Sequence, residues 1–333
     1  MRERQTTLAL AKAAFSVAVW AASFIATKIA LREIAPAAVV WLRFGIGVAV
    51  LALFAGARKE WAFVPFRELR SFALLGFLGI AFHQWLQSTA LVTAQASTSA
   101  WIITTSPVFI ALLGWVLLHE KLGLVHVAGM AVAAGGVLLV VTHGEWRMLG
   151  SGQFGEPGDA LVLISAFTWA LFSVYSRRGL RYHSPTLMIF FVMAFGWLFS
   201  CPLFFLQGSP PQIAHLSLTG WLAILFLGIL CSGLAYIFWY DALKIISASR
   251  VGALLYLEPL IAAGVAAAML GEQILLVSVI GGALILLGVW MVNIREAEPG
   301  EVKQVSEQIE RSAARDKTNR ENSENTKGHG EDT

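Results

Sequence analysis

The chain has 333 residues, of which 57% are Ala, Val, Ile, Leu, Met, Phe, Trp, Tyr or Cys and only 14% are charged, with 30 glycines besides. Soluble domains reach about 45 to 50% apolar with glycine already counted, so water is not the main solvent of this chain. The net charge of +3 says little about partners and no nucleic-acid partner is expected, while Cys201 and Cys231, both inside apolar segments, form neither a disulfide framework nor a zinc site.

Arg2 and Arg4 ahead of an apolar run imitate a signal peptide. The run from about 8 to 30 is nevertheless long enough to span a bilayer, and its pattern returns in the second half, so a retained helix is expected. A hydrocarbon core of about 30 Å needs about 20 apolar residues of helix. Ten such stretches follow in order: 9–30, 36–56, 70–90, 96–118, 124–142, 159–178, 186–206, 217–240, 247–270 and 274–293. Most connections are short and carry helix punctuation, among it Pro36, Gly123, Pro157-Gly158, Pro185 and Gly208-Ser209-Pro210-Pro211. The expected fold class is therefore all-α integral membrane, with sequential, antiparallel neighbours.

If the N-terminus is cytoplasmic, the inner flanks hold Arg2, Arg4, Lys12, Arg58, Lys59, Arg67, Arg70, Lys121, Arg177, Arg178, Arg181, Lys244 and Arg295. The outer flanks then hold Lys28, Arg32 and Arg147. This bias follows the positive-inside tendency and predicts both termini in the cytoplasm. From 295 to 333 the chain has no aromatic residue and is dense in Glu, Arg, Lys, Asn and Ser, so a disordered cytoplasmic tail is expected.

Self-alignment turns ten spans into five used twice. At an offset of 149, Trp20-Ala21 matches Trp169-Ala170, Pro36 matches Pro185 and Leu78-Gly79 matches Leu227-Gly228. After a three-residue insertion the offset is 152, where Ala90-Leu91 matches Ala242-Leu243, Pro107 matches Pro259, Glu120 matches Glu272, and Gly129 and Gly136 match Gly281 and Gly288. The repeats are read as 8–143 and 159–294, with 144–158 as linker. Because five is odd, the second copy enters from the opposite side of the membrane. Two inverted copies can exchange conformations around a central site, which is alternating access.

Several of these residues form motifs: Trp20 to Lys28, Trp41-Leu42-Arg43-Phe44, Ser106-Pro107 followed by His119-Glu120, Asp159 to Arg178, and Leu257-Glu258-Pro259 followed by Gly271-Glu272. In this combination, over about residues 8–294, the chain resembles the drug/metabolite transporter superfamily, specifically transporters with two EamA-type domains. The resemblance implies a bacterial cytoplasmic-membrane carrier, commonly an exporter of amino acids or related metabolites, without implying which substrate. The copies depart at Ser106-Pro107 against Glu258-Pro259, so any carboxylate chemistry is asymmetric.

Pro107 and Pro259 each remove a backbone hydrogen bond at equivalent points of spans four and nine. Interrupted helices in matching positions point to a transporter's site, and simple packing kinks are the other reading. Glu258 is the one acid near the middle of a span, where an unpaired charge costs about 3 kcal/mol. It is a candidate for proton coupling or for a substrate's cationic group; the alternative is a protonated or paired structural Glu. Arg43 lies about 10 Å into span two, able either to grip a substrate carboxylate in a fork or to tie helices together. His83 and Gln87 share a face of span three, as a proton relay or as an interhelical hydrogen bond.

Trp20, Phe24, Trp101, Trp169, Tyr236 and Tyr256 are candidates to line an aromatic cavity, against the plainer reading of packing and interface anchors. Glu120 and Glu272 precede spans five and ten, whose amides they are expected to cap. Gly129, Gly136, Gly281 and Gly288 should let those two spans approach neighbours closely.

No cofactor or metal is expected, since no His and acid cluster has metal-ligand spacing. That weighs against the competing class, a membrane enzyme acting on lipid-like substrates. A non-transporting scaffold leaves Glu258 and the paired prolines unexplained, and a channel would need a filter loop or a ring of charges.

Overall fold

The computed structural model describes residues 2–118, 122–145, 155–179, 185–207, 209–246, 251–252 and 254–293. The tail at 295–333, the His119-Glu120 pair and most of the 144–158 linker lie outside the described residues. Among the described residues every regular element is helical: α1 (Arg2–Ala30), α2 (Pro36–Ala57), α3 (Phe66–Gly76), α4 (His83–Ala90), α5 (Ala96–Ile103), α6 (Ser106–Leu118) and α7 (Leu124–Val141). There follow α8 (Pro157–Gly179), α9 (Pro185–Leu206), the short α10 (Ser209–Ala214), α11 (Leu218–Leu225), α12 (Ala235–Leu243), α13 (Glu258–Leu270) and α14 (Leu276–Val292). Proline opens α2, α8 and α9, where its missing N–H costs nothing, and Gly271, at φ 70°, closes α13 in the left-handed conformation.

Eight helices among the described residues are long and apolar enough to cross a membrane, from Gln5–Ala30 to Leu218–Leu243; the apolar helices Leu254–Leu270 and Leu276–Val292 are shorter. Two of the long helices, Phe66–Ala90 and Leu218–Leu243, are wound as π-helix in the middle, over Phe77–Phe82 and Phe226–Leu234. The first π segment starts 149 residues before the second, whereas the α-helices that follow them start at His83 and Ala235, 152 apart. The three residues inserted in the second copy are therefore absorbed inside its π segment, which has 9 residues against 6. Such wide turns cluster at functional sites because they leave carbonyls off the regular ladder.

Contacts between the two halves come in mirrored pairs. With the sequence offsets applied, α1 packs on α12 as α8 packs on α4, and α1 packs on α13 as α8 packs on α6. Likewise α2 lies against the second π segment and α9 against the first, while α2 meets α9 and α7 meets α14. The α7–α14 contact is made by glycines: a Cβ on Gly129 would lie 2.7 Å from the Gly288 carbonyl oxygen, so only glycine permits this approach. Large buried side chains fill the space around α2, α3 and α9, including Phe44, Leu51, Phe72, Leu75 and Met193.

One expectation is corrected. Glu272 does not cap the span that follows it, since α14 begins only at Leu276 after Leu275. Its carboxylate instead accepts from the amides of Ala96 and Ser97 at 2.8 and 3.0 Å and from the Ser97 hydroxyl at 2.6 Å, capping α5. Although Glu272 precedes α14 in sequence, the open amides it meets in space are those of the first turn of α5.

Candidate functional site

Arg43 sits on the buried face of α2, 4% exposed. Its Nε donates to the Ser232 hydroxyl at 3.1 Å and its Nη1 to the Gln84 side-chain oxygen at 3.1 Å. Ser232 lies within the second π segment and Gln84 one residue into α4, just past the first. The two irregular turns thus face the same guanidinium from opposite halves of the chain. The Phe44 ring centroid lies 5.0 Å from the guanidinium carbon. The ion pairs among the described residues are Lys12–Asp241, Lys28–Glu272 and Arg58–Asp241, and Arg43 is in none of them.

Around this cation the aromatic candidates divide. Trp20 is set edge-on to Tyr236 at 5.3 Å and lies 5.2 Å from Trp239. Its indole N–H donates to the Cys231 carbonyl at 3.1 Å, taking up a carbonyl of the π segment. Tyr236 lies one turn after Ser232. On the other side His83, 3% exposed, tilts against Trp169 with centroids 5.2 Å apart. Its Nδ1 lies 2.9 Å from the Ser165 carbonyl oxygen. The same carbonyl accepts from the Thr168 hydroxyl at 2.8 Å, and that hydroxyl lies 3.3 Å from Nδ1. The structure thus brings Trp20, Arg43, His83, Trp169 and Tyr236 into one region where α1, α2, α4, α8 and α12 meet.

The remaining candidates fall elsewhere. Phe24 packs in a dry cluster with Ala21, Leu91, Ala96, Ala100, Ala262 and Ala266. Trp101 lies across Gly282, where a Cβ would stand 2.6 Å from its ring. Tyr256 is half-buried, and its hydroxyl accepts from the Asn293 side-chain amide at 3.1 Å near the end of α14. Gln87 is buried one turn after His83.

The two prolines stand at breaks. Span four stops at Ile103, turns at Thr104-Thr105 and resumes with Ser106-Pro107. Pro107 has no N–H for the Ile103 carbonyl, and the Ser106 hydroxyl donates to that oxygen at 2.6 Å instead. Thr104 and Thr105 bond back to Ala100 and Ile102 at 2.8 and 2.7 Å. In the second copy a 3-10 turn, Leu254–Leu257, precedes Glu258 and Pro259. Glu258 is half-buried there and has no hydrogen-bond or ion-pair partner among the described residues.

Sequence reasoning did not find Ser232, nor Gln84 as the partner of Arg43, because no motif marks them and only the packing of α2 between the π segments unites them. It also missed ties at both ends of α1. At one end Asp241 binds Lys12 and Arg58; at the other Lys28 donates to the Ala94 carbonyl at 2.6 Å and lies 3.7 Å from Glu272. Beside the latter is a cavity of about 270 Å³ lined by Lys28, Leu31, Arg32, Leu91, Val92, Leu270 and Glu272.

Bundled apolar helices, eight of them among the described residues long enough to cross a bilayer, define an integral membrane protein. The family model described as the EamA-like transporter family matches residues 7–142 and 156–294. The chain belongs to the EamA-like transporter family and is a multi-pass protein of the cell inner membrane. It is 29% identical over 291 residues to an uncharacterized transporter of Archaeoglobus fulgidus, covering 85% of this chain and 96% of that one. It is 29% identical over 284 residues to a probable terminal-alkyne amino-acid exporter of Streptantibioticus cattleyicolor, covering 84% and 91%. Against a probable amino-acid metabolite efflux pump of Salmonella typhimurium the identity is 26% over 285 residues, covering 83% and 91%. A solved crystal structure shares the fold with a TM-score of 0.60 at 23% identity, over 88% of this chain and 97% of that one.

Proposed function

We propose that the protein is a secondary transporter that exports amino acids or related small organic metabolites by alternating access. In this reading ten membrane helices form two inverted five-helix repeats, 8–143 and 159–294, with both termini cytoplasmic. The mirrored contacts of α1 with α12 and α8 with α4, and the antiparallel glycine contact of α7 with α14, support the inversion. The names of the relatives from Streptantibioticus and Salmonella support the substrate class.

The observation that carries the reading is the buried cluster of Arg43, His83, Gln84, Ser232 and Tyr236, which holds a buried cation inside a bundle of mostly apolar helices. Polar side chains at that depth are costly unless they serve a pathway or a ligand. Trp20 and Trp169, from equivalent points of α1 and α8, flank it and offer ring faces to an organic solute. Glu258 is the coupling residue: its carboxylate has no cation partner among the described residues and can take up and release a proton as the site changes access. The two ties of α1 sit at opposite ends, Lys12 and Lys28 being about 24 Å apart along the helix. Alternating access opens one while the other holds.

The test is uptake and efflux of labelled amino acids and cationic drugs in purified proteoliposomes, with and without a pH gradient, comparing the native protein with Glu258→Gln. Gradient-driven flux of a solute that the substitution abolishes in a folded protein is the expected result. Flux that persists in the mutant removes Glu258 from the coupling path, and no flux across the panel removes the carrier reading.

A further inference from the structure

Arg43 uses only part of its hydrogen-bonding capacity. A guanidinium has five N–H groups. One on Nε goes to Ser232 and one on Nη1 to Gln84. The others, among them both N–H groups of Nη2, have no hydrogen-bond partner among the described residues. Both partners that Arg43 does have are neutral oxygens, so its full positive charge persists at a place where water is scarce. A structural arginine in such a place is normally neutralised by an acid, because a lone buried ion forfeits most of its hydration without return. Here no acid among the described residues pairs with it.

The two neutral partners do something specific. They take Nε and one N–H of Nη1, which fixes the plane of the fork and leaves both N–H groups of Nη2 and one of Nη1 for a ligand. Such remaining donors suit the oxygens of a carboxylate. An arginine rather than a lysine suits this role, since its donors are planar and preset. Tyr236, one turn after Ser232 and edge-on to Trp20, supplies an apolar wall next to that partner of the guanidinium.

Resting on the transporter reading above, we propose that Arg43, oriented by Ser232 and Gln84, is the carboxylate-binding subsite, and that this protein therefore selects solutes carrying a free carboxylate over their amides and amines. The carboxylate replaces the missing counter-ion, so binding both discharges the buried cation and recognises the ligand. A bare organic cation is repelled by the same charge. The Ser232 and Gln84 contacts join the second π segment to the start of α4 through Arg43.

The experiment needs no variant to begin. Thermal shift and proteoliposome flux are measured on the full-length native protein with the proteinogenic amino acids, then with the amide, the decarboxylated amine and the deaminated acid of each amino acid that registers. Amino acids and the deaminated acids should bind and move, with the amides and amines weaker by about 30-fold or more, the loss typical of an unmatched buried charge. In Arg43→Gln that discrimination should disappear, while Arg43→Lys should retain its direction with weakened affinity. If Arg43→Gln fails to fold, Ser232→Ala, which frees the guanidinium plane, should narrow the preference instead. Amides or amines accepted as well as the acids overturn the subsite and leave the carrier reading intact. No shift and no flux with any compound overturn both, and an undiminished acid preference in folded Arg43→Gln overturns the assignment to Arg43.

Discussion

Gly136 and Gly281 face each other so closely that a Cβ added to the first would lie 2.6 Å from the carbonyl oxygen of the second, and one added to the second 2.8 Å from that of the first. Gly129 and Gly288 repeat the relation one helical turn pair away, with the sequence order reversed, so α7 and α14 cross antiparallel on a seam of four glycines. Replacing Gly136 with Ala should force the backbones apart and cost about 1 to 3 kcal/mol, as overpacking does. Gly135→Ala, where a Cβ meets nothing within 4 Å, is the matched control. Fluorescence-detected thermal unfolding in detergent checks this, and equal melting temperatures for the two variants would contradict it.

Those four glycines were legible in the sequence because their seven-residue spacing recurs in both copies, and so was the pairing of Trp20 with Trp169. Their partners were not. A self-alignment reveals which residues are equivalent, but not which helices touch: α7 meets its equivalent α14, whereas α2 also lies against the second π segment, to which it is not equivalent. Arg43 could thus be singled out, but its orientation by Ser232 and Gln84 depends on a winding change that hydrophobic periodicity does not encode. The three-residue insertion between Gly79 and Ala90 was the available signal, since extra residues inside a continuous span must be wound into it. Phe24 and Trp101 failed to join the cluster because aromatic side chains in a membrane helix serve packing as readily as binding.

Glu33 ties the α1–α2 connection to the start of α11. Its carboxylate accepts from the Ser217 amide and hydroxyl, each at 2.7 Å, while the Ser217 oxygen accepts from the Gly220 amide at 3.1 Å and caps that helix. The Ser217 hydroxyl and amide hold the Glu33 carboxyl below its usual pKa. A depressed folded-state value means a contribution that is full above the ordinary carboxylate value and lost as pH falls through the lower, folded one. Glu33→Gln should therefore lower the melting temperature at neutral pH. The two proteins should converge as the medium is acidified past the depressed value. A pH series of unfolding curves decides it; a gap that persists in acid would show that the carboxylate charge is not what matters.

Glu272 caps α5 from a distant part of the chain, so its loss should loosen the start of a broken span rather than the helix that follows it. Glu272→Ala should cost about 1 kcal/mol, the ordinary value of a helix cap, and release Lys28, which then keeps only the Ala94 carbonyl. Hydrogen exchange should rise at the amides of Ala96 and Ser97 and stay unchanged at the start of α14. Faster exchange confined to 276–280 would reverse the assignment.

Asp241 serves two cations at once. Arg58 donates Nη1 and Nη2 to its two oxygens at 3.0 and 2.9 Å, and Lys12 reaches Oδ2 at 2.9 Å. The acid therefore joins α12 to α1 and to the end of α2, and its side chain is 13% exposed against 30% for Lys12 and 31% for Arg58. Removing either cation leaves the acid with the other, and each such half-exposed pair is worth at most about 1 kcal/mol. Removing the acid leaves two cations side by side, where attraction turns to repulsion. Asp241→Asn should thus destabilise more than Lys12→Met or Arg58→Met alone. In the background of the double cation variant the same Asp241→Asn should be nearly silent, because nothing remains for the carboxylate to offset. Added salt should narrow the difference between native protein and Asp241→Asn, since screening reaches partly exposed charges. Unfolding measured at two ionic strengths across this mutant cycle tests the arrangement, and additive effects would show that Lys12 and Arg58 do not share the carboxylate.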